Sequence, residues 1–272
     1  MRQKFTKYRN ETNSSLIKSS EEINLIEKSC RIVAETLLLL EKYVKPGVET
    51  LELNKIAEDY ILTQNAKPAF KGYQVDNKFF PYTLCISIDD EVVHGMPSSR
   101  KLVEGEIISI DCGASKDGYF GDSAVTLPVG RISEEKQRLL RVTEESLYLG
   151  LYQAIDNNKV YDISRVIQLH CEKNGFSLTR ELVGHGIGKE LHEEPAIPNF
   201  VPPLLHRNNF PNMKLKSGMT MAIEPMVHIG RKETYVANDG WTVVTSDRKA
   251  SAHFEHTVVV QESKPLILTT RN

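Results

Sequence analysis

Ile107-Ile108-Ser109-Ile110-Asp111 is an apolar run that ends in a carboxylate, and Tyr119-Phe120-Gly121-Asp122 repeats this pattern shortly afterwards. Lys116-Asp117-Gly118, between the two runs, has the composition of a tight turn, so the segment is predicted to form a β-hairpin. Its two aspartates would then lie on neighbouring strands. A carboxylate in an apolar strand is costly unless a positive charge compensates it. The hairpin therefore indicates a buried charged site.

Three later stretches place further ligand-type side chains in unexpected surroundings. A histidine stands between glycines in Gly184-His185-Gly186-Ile187-Gly188, and single glutamates interrupt Ile223-Glu224-Pro225-Met226 and Phe254-Glu255-His256-Thr257. Alone, such a histidine is more typical of a tight turn than of a ligand. The strand segments contain no cationic residue, so a divalent metal is the favoured compensating charge. The predicted metal ligands are Asp111, Asp122, His185, Glu224 and Glu255.

The ligand types indicate both the kind of ion and the number of ions. Carboxylates with one imidazole suit Mn(II), Fe(II), Co(II) or Zn(II), and which of these is used depends on availability as much as on affinity. Catalytic sites with a single zinc usually have two or three histidines and one carboxylate. Four carboxylates favour two ions, because carboxylates can bridge. Two ions about 3.5–4 Å apart support hydrolysis of amides or esters.

Composition argues against several other classes of protein. The chain has 272 residues, of which 40% are hydrophobic, enough for one sizeable core or at most two domains. A net charge of −2 gives no general basis for binding nucleic acid or membranes, and no apolar run approaches the ~18 residues of a membrane span. The cysteines are widely spaced without a CxxC pair, which predicts reduced, mostly buried thiols in a cytosolic protein and excludes a zinc finger.

The chain begins with a basic segment that has no apolar stretch behind it. Arg2, Lys4, Lys7 and Arg9 precede a Ser/Asn-rich stretch, so residues 1–18 are predicted to be a flexible, solvated extension rather than a signal peptide. A weak docking arm is the alternative interpretation.

The remaining pattern predicts one α+β unit in which helices cover an antiparallel sheet. A helix pair, a hairpin, a second helix pair and more strands follow one another, and an internal duplication is a hypothesis only. Helices are predicted from an N-cap at Ser20 to about Tyr43, around 53–61, and over 133–154 and 162–174. Strands are predicted over 84–88, 106–112, 119–127, 178–183, 219–227, 241–245, 253–260 and 266–269, with loops over 67–83 and 195–211.

The ordered motifs resemble those of the type I methionine aminopeptidases of the M24 metallopeptidase family. The resemblance runs from about Ile17 to the end and, without a zinc-finger extension, is to the short bacterial form. Besides the ligand stretches quoted above, it rests on Lys45-Pro46-Gly47-Val48, Val93-His94-Gly95-Met96-Pro97, His192-Glu193-Glu194-Pro195 and Asp239-Gly240-Trp241-Thr242-Val243.

The resemblance implies a fold, an activity and a cellular setting. The fold is the pita-bread fold, a pseudo-twofold antiparallel sheet covered by helices, here as a single catalytic domain over 19–272 with two metals between its halves. The activity is that of a methionyl aminopeptidase, which removes the initiator methionine from nascent chains when the second residue is small. The family implies a cytoplasmic monomer that acts on nascent polypeptide N-termini with transient ribosome contact, without a specific nucleic acid or membrane partner.

The resemblance also implies roles for the predicted ligands. Asp111 chelates one ion, and His185 with Glu224 holds the other. Asp122 and Glu255 bridge both. Glu224 in addition shuttles a proton from the bridging water to the leaving amine, which is general acid–base catalysis.

Two further histidines and an apolar pocket complete the implied site. His192 would stabilise the gem-diolate oxygen, and His94 would lie near the scissile nitrogen. The family's methionine pocket corresponds here to Tyr73, Phe80, Cys85, Trp241, Phe70 and Leu191. Phe70 stands where many bacterial members carry Cys, and Leu191 where an aromatic residue is usual. Both remain apolar, so selectivity for methionine is expected, with an altered pocket shape.

The acidic run Asp89-Asp90-Glu91 has two interpretations. It is either a solvated loop or the neighbour of a monovalent cation site that the family carries.

Two rival functions remain open at the level of sequence. The first is a proline-directed peptidase on the same fold; such enzymes usually carry a large N-terminal domain, which about twenty residues before the first helix cannot supply. The second is a binding protein that has lost catalysis and docks on the ribosome. Such a protein is expected to have lost ligands, whereas all five are present here.

Overall fold

The computed structural model describes residues 16–75, 77–208, 210 and 212–271. The predicted extension lies mostly outside these residues. In the described chain the α-helices are Ser20–Glu41 (α1), Thr50–Thr63 (α2), Glu134–Leu151 (α3) and Val160–Lys173 (α4), and a 3₁₀ turn covers Leu204–His206. The strands are Lys67–Pro68 (β1), Gln74–Val75 (β2), Lys78–Phe79 (β3), Leu84–Ile88 (β4), Glu91–Val93 (β5), Ile107–Lys116 (β6), Tyr119–Pro128 (β7), Ser177–Leu178 (β8), Gly184–Gly186 (β9), Glu193–Ile197 (β10), Thr220–Ile223 (β11), Met226–His228 (β12), Thr234–Val236 (β13), Val243–Thr245 (β14), Ser251–His253 (β15), His256–Val259 (β16) and Leu266–Ile267 (β17).

The N-cap of helix α1 lies one residue earlier than predicted. Its N-cap is Ser19, not Ser20. The Ser19 hydroxyl accepts from the Glu22 backbone N–H at 3.2 Å, and the Glu22 carboxylate accepts from the Ser19 N–H at 3.0 Å. This reciprocal pair needs an acid three residues after the cap. Ser19 has that spacing from Glu22, which explains why it is the cap.

The predicted hairpin is strands β6 and β7. Asp117 and Gly118 at its turn have φ of 55° and 83°, the left-handed conformation of a tight hairpin turn. In its antiparallel register Asp111 lies opposite Ala124, and Gly113 lies opposite Asp122. Because side chains alternate between faces along a strand, Asp111 and Asp122 lie on one face as diagonal neighbours.

A second ladder carries the two glutamates, but they interrupt it. Strand β11 pairs with β16, and β12 pairs with β15. The predicted continuous strands 219–227 and 253–260 are wrong, since each breaks at its acidic residue. Pro225 has no N–H to donate to a ladder. The Glu255 N–H instead bonds to the Ala124 carbonyl on β7 at 3.0 Å. After β15 the chain therefore changes its bonding partner from β12 to β7.

Three other predicted segments need correction. Of the strand predicted over 178–183, only the start is present, as β8 (Ser177–Leu178), and the next strand, β9, begins at Gly184. The loop over 67–83 contains β1, which pairs with β6, and the small β2–β3 hairpin. The surface loop over 195–211 begins inside β10, and Asn199 and Phe200 after it are buried. These elements are held by tertiary pairing and burial, which the local pattern does not reveal.

The chain forms two halves, the first from α1 to β7 and the second from α3 to β17, and each packs a helix pair against antiparallel strands. Helix α1 packs on β6 and β7, while α3 packs on α4 and on the ladder of β11, β12 and β15. One hydrophobic cluster contains residues from both halves. This arrangement agrees with the predicted pseudo-twofold α+β architecture. All four cysteines are free and buried, as expected, and no helix in the described part is long and apolar enough to cross a membrane.

Hydrogen bonds between β7 and the segment 253–257 join the halves; we call this contact the seam. The Ser123 hydroxyl donates to the Glu255 carbonyl at 2.6 Å. The Thr257 hydroxyl donates to the Asp122 carbonyl at 2.7 Å and accepts from the Asp122 N–H at 3.3 Å. The seam therefore positions Asp122 and Glu255 against each other through their own backbone groups.

Replacing Thr257 by valine is expected to destabilise the fold. The substitution deletes the hydroxyl that bonds both backbone groups of Asp122, and loss of a buried hydrogen-bond partner costs about 1–3 kcal/mol. The free energy of unfolding in urea measures the loss. Thr63→Val is the matched control, because the Thr63 hydroxyl bonds the Tyr60 carbonyl at the exposed end of α2. It is expected to change stability by no more than about 0.5 kcal/mol; equal losses in both variants would contradict the role of the seam.

Candidate metal centre and its pocket

The predicted ligands come from both halves and meet in one place. Asp111 and Asp122 lie on the β6–β7 hairpin, and Glu224 and Glu255 lie at the interruptions of the second ladder. His185 lies on β9, opposite Ala222 of β11. A side chain at the adjacent position 186 would collide with the Glu194 carbonyl. The glycine beside His185 is thus required by the close approach of β10.

The side chains approach closely enough to share an ion. The His185 Nε2 atom lies 3.6 Å from Glu224 Oε1 and 4.0 Å from Asp122 Oδ2. Potential ligand atoms of Asp122, His185 and Glu255 all lie within 4.8 Å of one another. The Asp111 and Asp122 carboxyl groups are close enough for each to affect the pKa of the other. All five predicted ligands are therefore neighbours.

The unpaired atoms of this cluster fit a cation. Asp111 Oδ1, Asp122 Oδ1 and Glu255 Oε1 are buried and have no hydrogen-bond partner in the described chain. His185 Nδ1 bonds to the Gly186 carbonyl at 2.8 Å. Because a carbonyl only accepts, Nδ1 carries the proton and Nε2 carries the lone pair. This is the tautomer in which a histidine ligates a metal through Nε2.

Burial and mutual repulsion disfavour charge on the four acids. Burial raises the pKa of Asp111 to about 7. Burial and then the neighbouring carboxylates raise the pKa values of Asp122, Glu224 and Glu255 well above the usual range. Burial lowers the pKa of His185 to about 4. Without a cation the acids retain protons, so the centre is suited to bind positive charge.

One cationic side chain reaches the edge of this cluster from the end of the chain. Arg271 donates to the Ser123 hydroxyl at 3.1 Å, and its charge lowers the pKa of Glu255 against the larger effect of burial. A single guanidinium cannot neutralise four carboxylates. The need for further positive charge remains.

His94 and His192 line the same cavity as His185 and Glu224. The rings of His192 and His185 are edge-on with centroids 4.4 Å apart. His192 Nδ1 lies 2.8 Å from the Tyr73 hydroxyl. Burial lowers the pKa values of His94 and His192 well below the usual range. Both rings are neutral near pH 7 and can each donate one N–H.

The predicted pocket residues form one apolar cluster beside the acids. Strand pairing places Cys85 opposite Asp111, which connects the cluster to the metal ligands. Phe80 and Trp241 are edge-on with centroids 5.3 Å apart. The cluster consists of Phe70, Phe80, Cys85, Ile187, Leu191 and Trp241, with Tyr73 packed against it. The structure brings the predicted residues together, and their part in binding substrate remains a prediction.

Phe70, the first departure from the family pattern, is accommodated by a glycine. A Cβ at position 113 would lie 2.7 Å from Phe70 Cε1. The phenyl ring therefore occupies the space that a side chain on β6 would take. Leu191, the second departure, is buried in the same cluster.

Sequence reasoning missed one contact that holds Glu224. Asn199 donates from Nδ2 to the Glu224 carbonyl at 2.9 Å. No local signal marked this residue, because it fell in a predicted surface loop. His253, two residues before Glu255, places Nε2 3.8 Å from Glu224 Oε2. That distance is too long for a hydrogen bond, and His253 Nε2 is buried without a hydrogen-bond partner in the described chain.

The acidic run at 89–91 is paired rather than simply solvated. Asp89 accepts from Lys136 at 2.6 Å, and Asp90 Oδ2 forms an ion pair with Arg248 Nε at 2.6 Å. Nearby, Ser251 donates its N–H to the Asp89 carbonyl at 2.8 Å. The Ser251 hydroxyl is buried without a hydrogen-bond partner in the described chain.

Comparisons with known proteins agree with this site and fold. The profile described as Metallopeptidase family M24 matches residues 24–262. The methionine aminopeptidase of Clostridium perfringens is 47% identical over 93% of this chain and 98% of its own, and methionine aminopeptidase 1 of Bacillus subtilis is 48% identical over the same shares.

Solved structures give the same result. The crystal structure of methionine aminopeptidase from Thermotoga maritima is similar at a TM-score of 0.87 with 40% identity, over 93% of this chain and 98% of that one. Prolidase from Pyrococcus furiosus matches at 0.76 with 22% identity, over 96% of this chain and 67% of that one, a likeness of fold alone. The expected pita-bread fold is confirmed.

Metal binding at this centre is expected to release protons and to weaken as pH falls. The metal-free pKa of Asp111 is about 7, and those of the other three acids are raised. Protons therefore compete with the ion below these values. Calorimetric titration with Mn(II) between about pH 8 and pH 6, in buffers of different ionisation enthalpy, measures both effects. Asp111→Asn should release fewer protons; an affinity independent of pH would contradict the assignment.

Proposed function

Because the chain belongs to metallopeptidase family M24, we propose that the buried cluster around His185 is its catalytic centre. The chain is a metal-dependent aminopeptidase that removes N-terminal methionine from proteins, as its relatives of 47% and 48% identity are named over nearly their whole length. The observation that carries the proposal is the set of buried, unpaired carboxylate oxygens beside an apolar pocket.

The proposed cofactor is a pair of divalent ions held by Asp111, Asp122, His185, Glu224 and Glu255. Asp122 and Glu255 are the proposed shared ligands, since the seam places these two residues between the halves. Bound divalent ions would supply Lewis acidity and a water molecule of lowered pKa. The donor set accepts Co, Mn, Fe or Zn. A monovalent cation beside Asp89 is also proposed, supported by the unpaired hydroxyl of Ser251.

The proposed work of the protein's own groups begins with Glu224. Its carboxylate, held by Asn199 through the backbone and flanked by His253, accepts a proton and delivers it to the leaving amine. His192 donates an N–H to the oxygen on which negative charge develops, and His94 donates near the scissile nitrogen. Burial favours the neutral form of both imidazoles, and each neutral ring still has one N–H to donate.

The substrate's methionine side chain is proposed to fill the apolar cluster of Phe70, Phe80, Cys85, Leu191 and Trp241 with Tyr73 at its edge. The adjoining cavity, bounded by His94, Met226 and Leu182, would face the second residue.

The proposed substrates are nascent polypeptides in the cytoplasm, met by a monomeric enzyme that contacts the ribosome transiently. The bacterial relatives named methionine aminopeptidase support this setting.

Peptide selectivity tests the proposed function against a proline-directed activity. The protein loaded with Mn(II), Co(II) or Fe(II) is expected to release methionine from Met-Ala and Met-Gly peptides, and to release little from Xaa-Pro peptides. The rate of each release is measured by chromatography of the free amino acid. Faster cleavage of Xaa-Pro would support the prolidase alternative, and no release from any peptide would support a non-catalytic binding protein.

Removal of one shared ligand is expected to abolish turnover. Glu255→Gln keeps the shape of the side chain but removes its charge, so metal binding and kcat/KM should fall by more than about 100-fold. Glu262→Gln is the matched control, because Glu262 is exposed and lies shortly after strand β16, which follows Glu255. Wild-type turnover in Glu255→Gln would refute its role as a ligand.

A further inference from the structure

We propose that Tyr73 is a positioning residue for His192, through the hydrogen bond between its hydroxyl group and the Nδ1 atom of the ring. This inference rests on the role proposed above for His192. It adds a function to a residue that otherwise only lines the methionine pocket.

The contact between the two residues is close and directional. Tyr73 Oη lies 2.8 Å from His192 Nδ1, and the rings are edge-on with centroids 5.2 Å apart. On its other side the His192 ring contacts that of His185, with centroids 4.4 Å apart. Two neighbours thus limit how the imidazole can turn. Nδ1 is occupied by Tyr73, which leaves Nε2 as the nitrogen for the substrate.

With Tyr73 as the donor, the contact also fixes the tautomer of the ring. A neutral imidazole carries one proton, on either nitrogen. When the Tyr73 hydroxyl donates to Nδ1, the proton of the ring resides on Nε2, where a developing oxyanion requires a donor. Without the hydroxyl, nothing in this contact favours that tautomer over the other. A preorganised donor would then be present only part of the time.

Tyr73 is built into the methionine pocket at the level of the backbone. Phe80 donates its N–H to the Tyr73 carbonyl at 2.9 Å, and Gly72 donates to the Phe80 carbonyl at 2.8 Å. Phe80 in turn contacts Trp241 edge-on. The residue that orients His192 therefore belongs to the surface that receives the methionine side chain. A substrate side chain that fills the pocket would support the Tyr73 ring and, through it, the N–H donor on His192. Binding of the correct side chain would then raise kcat.

Tyr73→Phe tests the inference, because it keeps the aromatic ring in the pocket and deletes only the hydroxyl. The expected result is a kcat for Met-Ala peptides about 10–100-fold lower, with KM changed by less than about twofold, since an orienting contact acts on the transition state. Tyr60→Phe is the matched control. It deletes a hydroxyl bond of equal length, 2.8 Å to Glu35, on the surface of α1 and α2, and should leave kcat unchanged.

Two further measurements separate positioning from a general structural effect. In a His192→Ala background, Tyr73→Phe should cause no additional loss, because the hydroxyl acts only through that ring. The affinity for the phosphonate analogue of methionine, whose anionic oxygens resemble the transition state, should fall by about the same factor as kcat. The affinity for L-methionine should change little. Thermal unfolding of each variant checks that the fold is retained.

The outcomes distinguish this inference from the proposed function. A normal kcat in Tyr73→Phe, or losses that add in the double variant, would overturn the positioning role. If His192→Ala itself turned over normally, the role proposed for His192 would fail first. An impaired His192→Ala variant beside an unimpaired Tyr73→Phe variant would refute the positioning role and leave the proposed function intact.

Discussion

Repulsion among four buried carboxylates is the interaction on which the rest of this structure depends. Burial alone raises the pKa of Asp111 to about 7, and the other three acids repel one another in addition. Such a cluster persists only with bound protons or cations. The surrounding elements hold the four acids together despite this cost. The glycine beside His185 allows β10 to approach, and both glutamates lie where their strands are interrupted.

The seam links this electrostatic cost to the architecture. Each half contributes two carboxylates, and backbone groups of Asp122 and Glu255 make hydrogen bonds across the boundary between the halves. The position of one half against the other therefore determines how far apart the acids lie. The apolar pocket is attached to the strands that carry the acids, because Cys85 of β4 pairs with Asp111 of β6. Ion binding, substrate binding and the packing of the two halves depend on one set of contacts.

The sequence allowed prediction of those parts of the site that short-range signals determine. Asp111 and Asp122 followed from a hairpin whose turn residues are explicit, and His185 from its flanking glycines. The interruptions at Glu224 and Glu255 were missed, because the apolar pattern continues across them and the competing partner, Ala124, is far away in sequence. Asn199 was missed for a related reason. Its burial depends on the β9–β10 pairing, which no local composition indicates.

Phe70 and Gly113 link the shape of the apolar pocket to the backbone of the hairpin. A β-carbon at position 113 would come within 2.7 Å of the phenyl ring. With the ring in its observed place, position 113 has room only for glycine, and a larger residue there would force the ring to move. A substitution on strand β6 would thus reshape the apolar cluster without replacing any of its members.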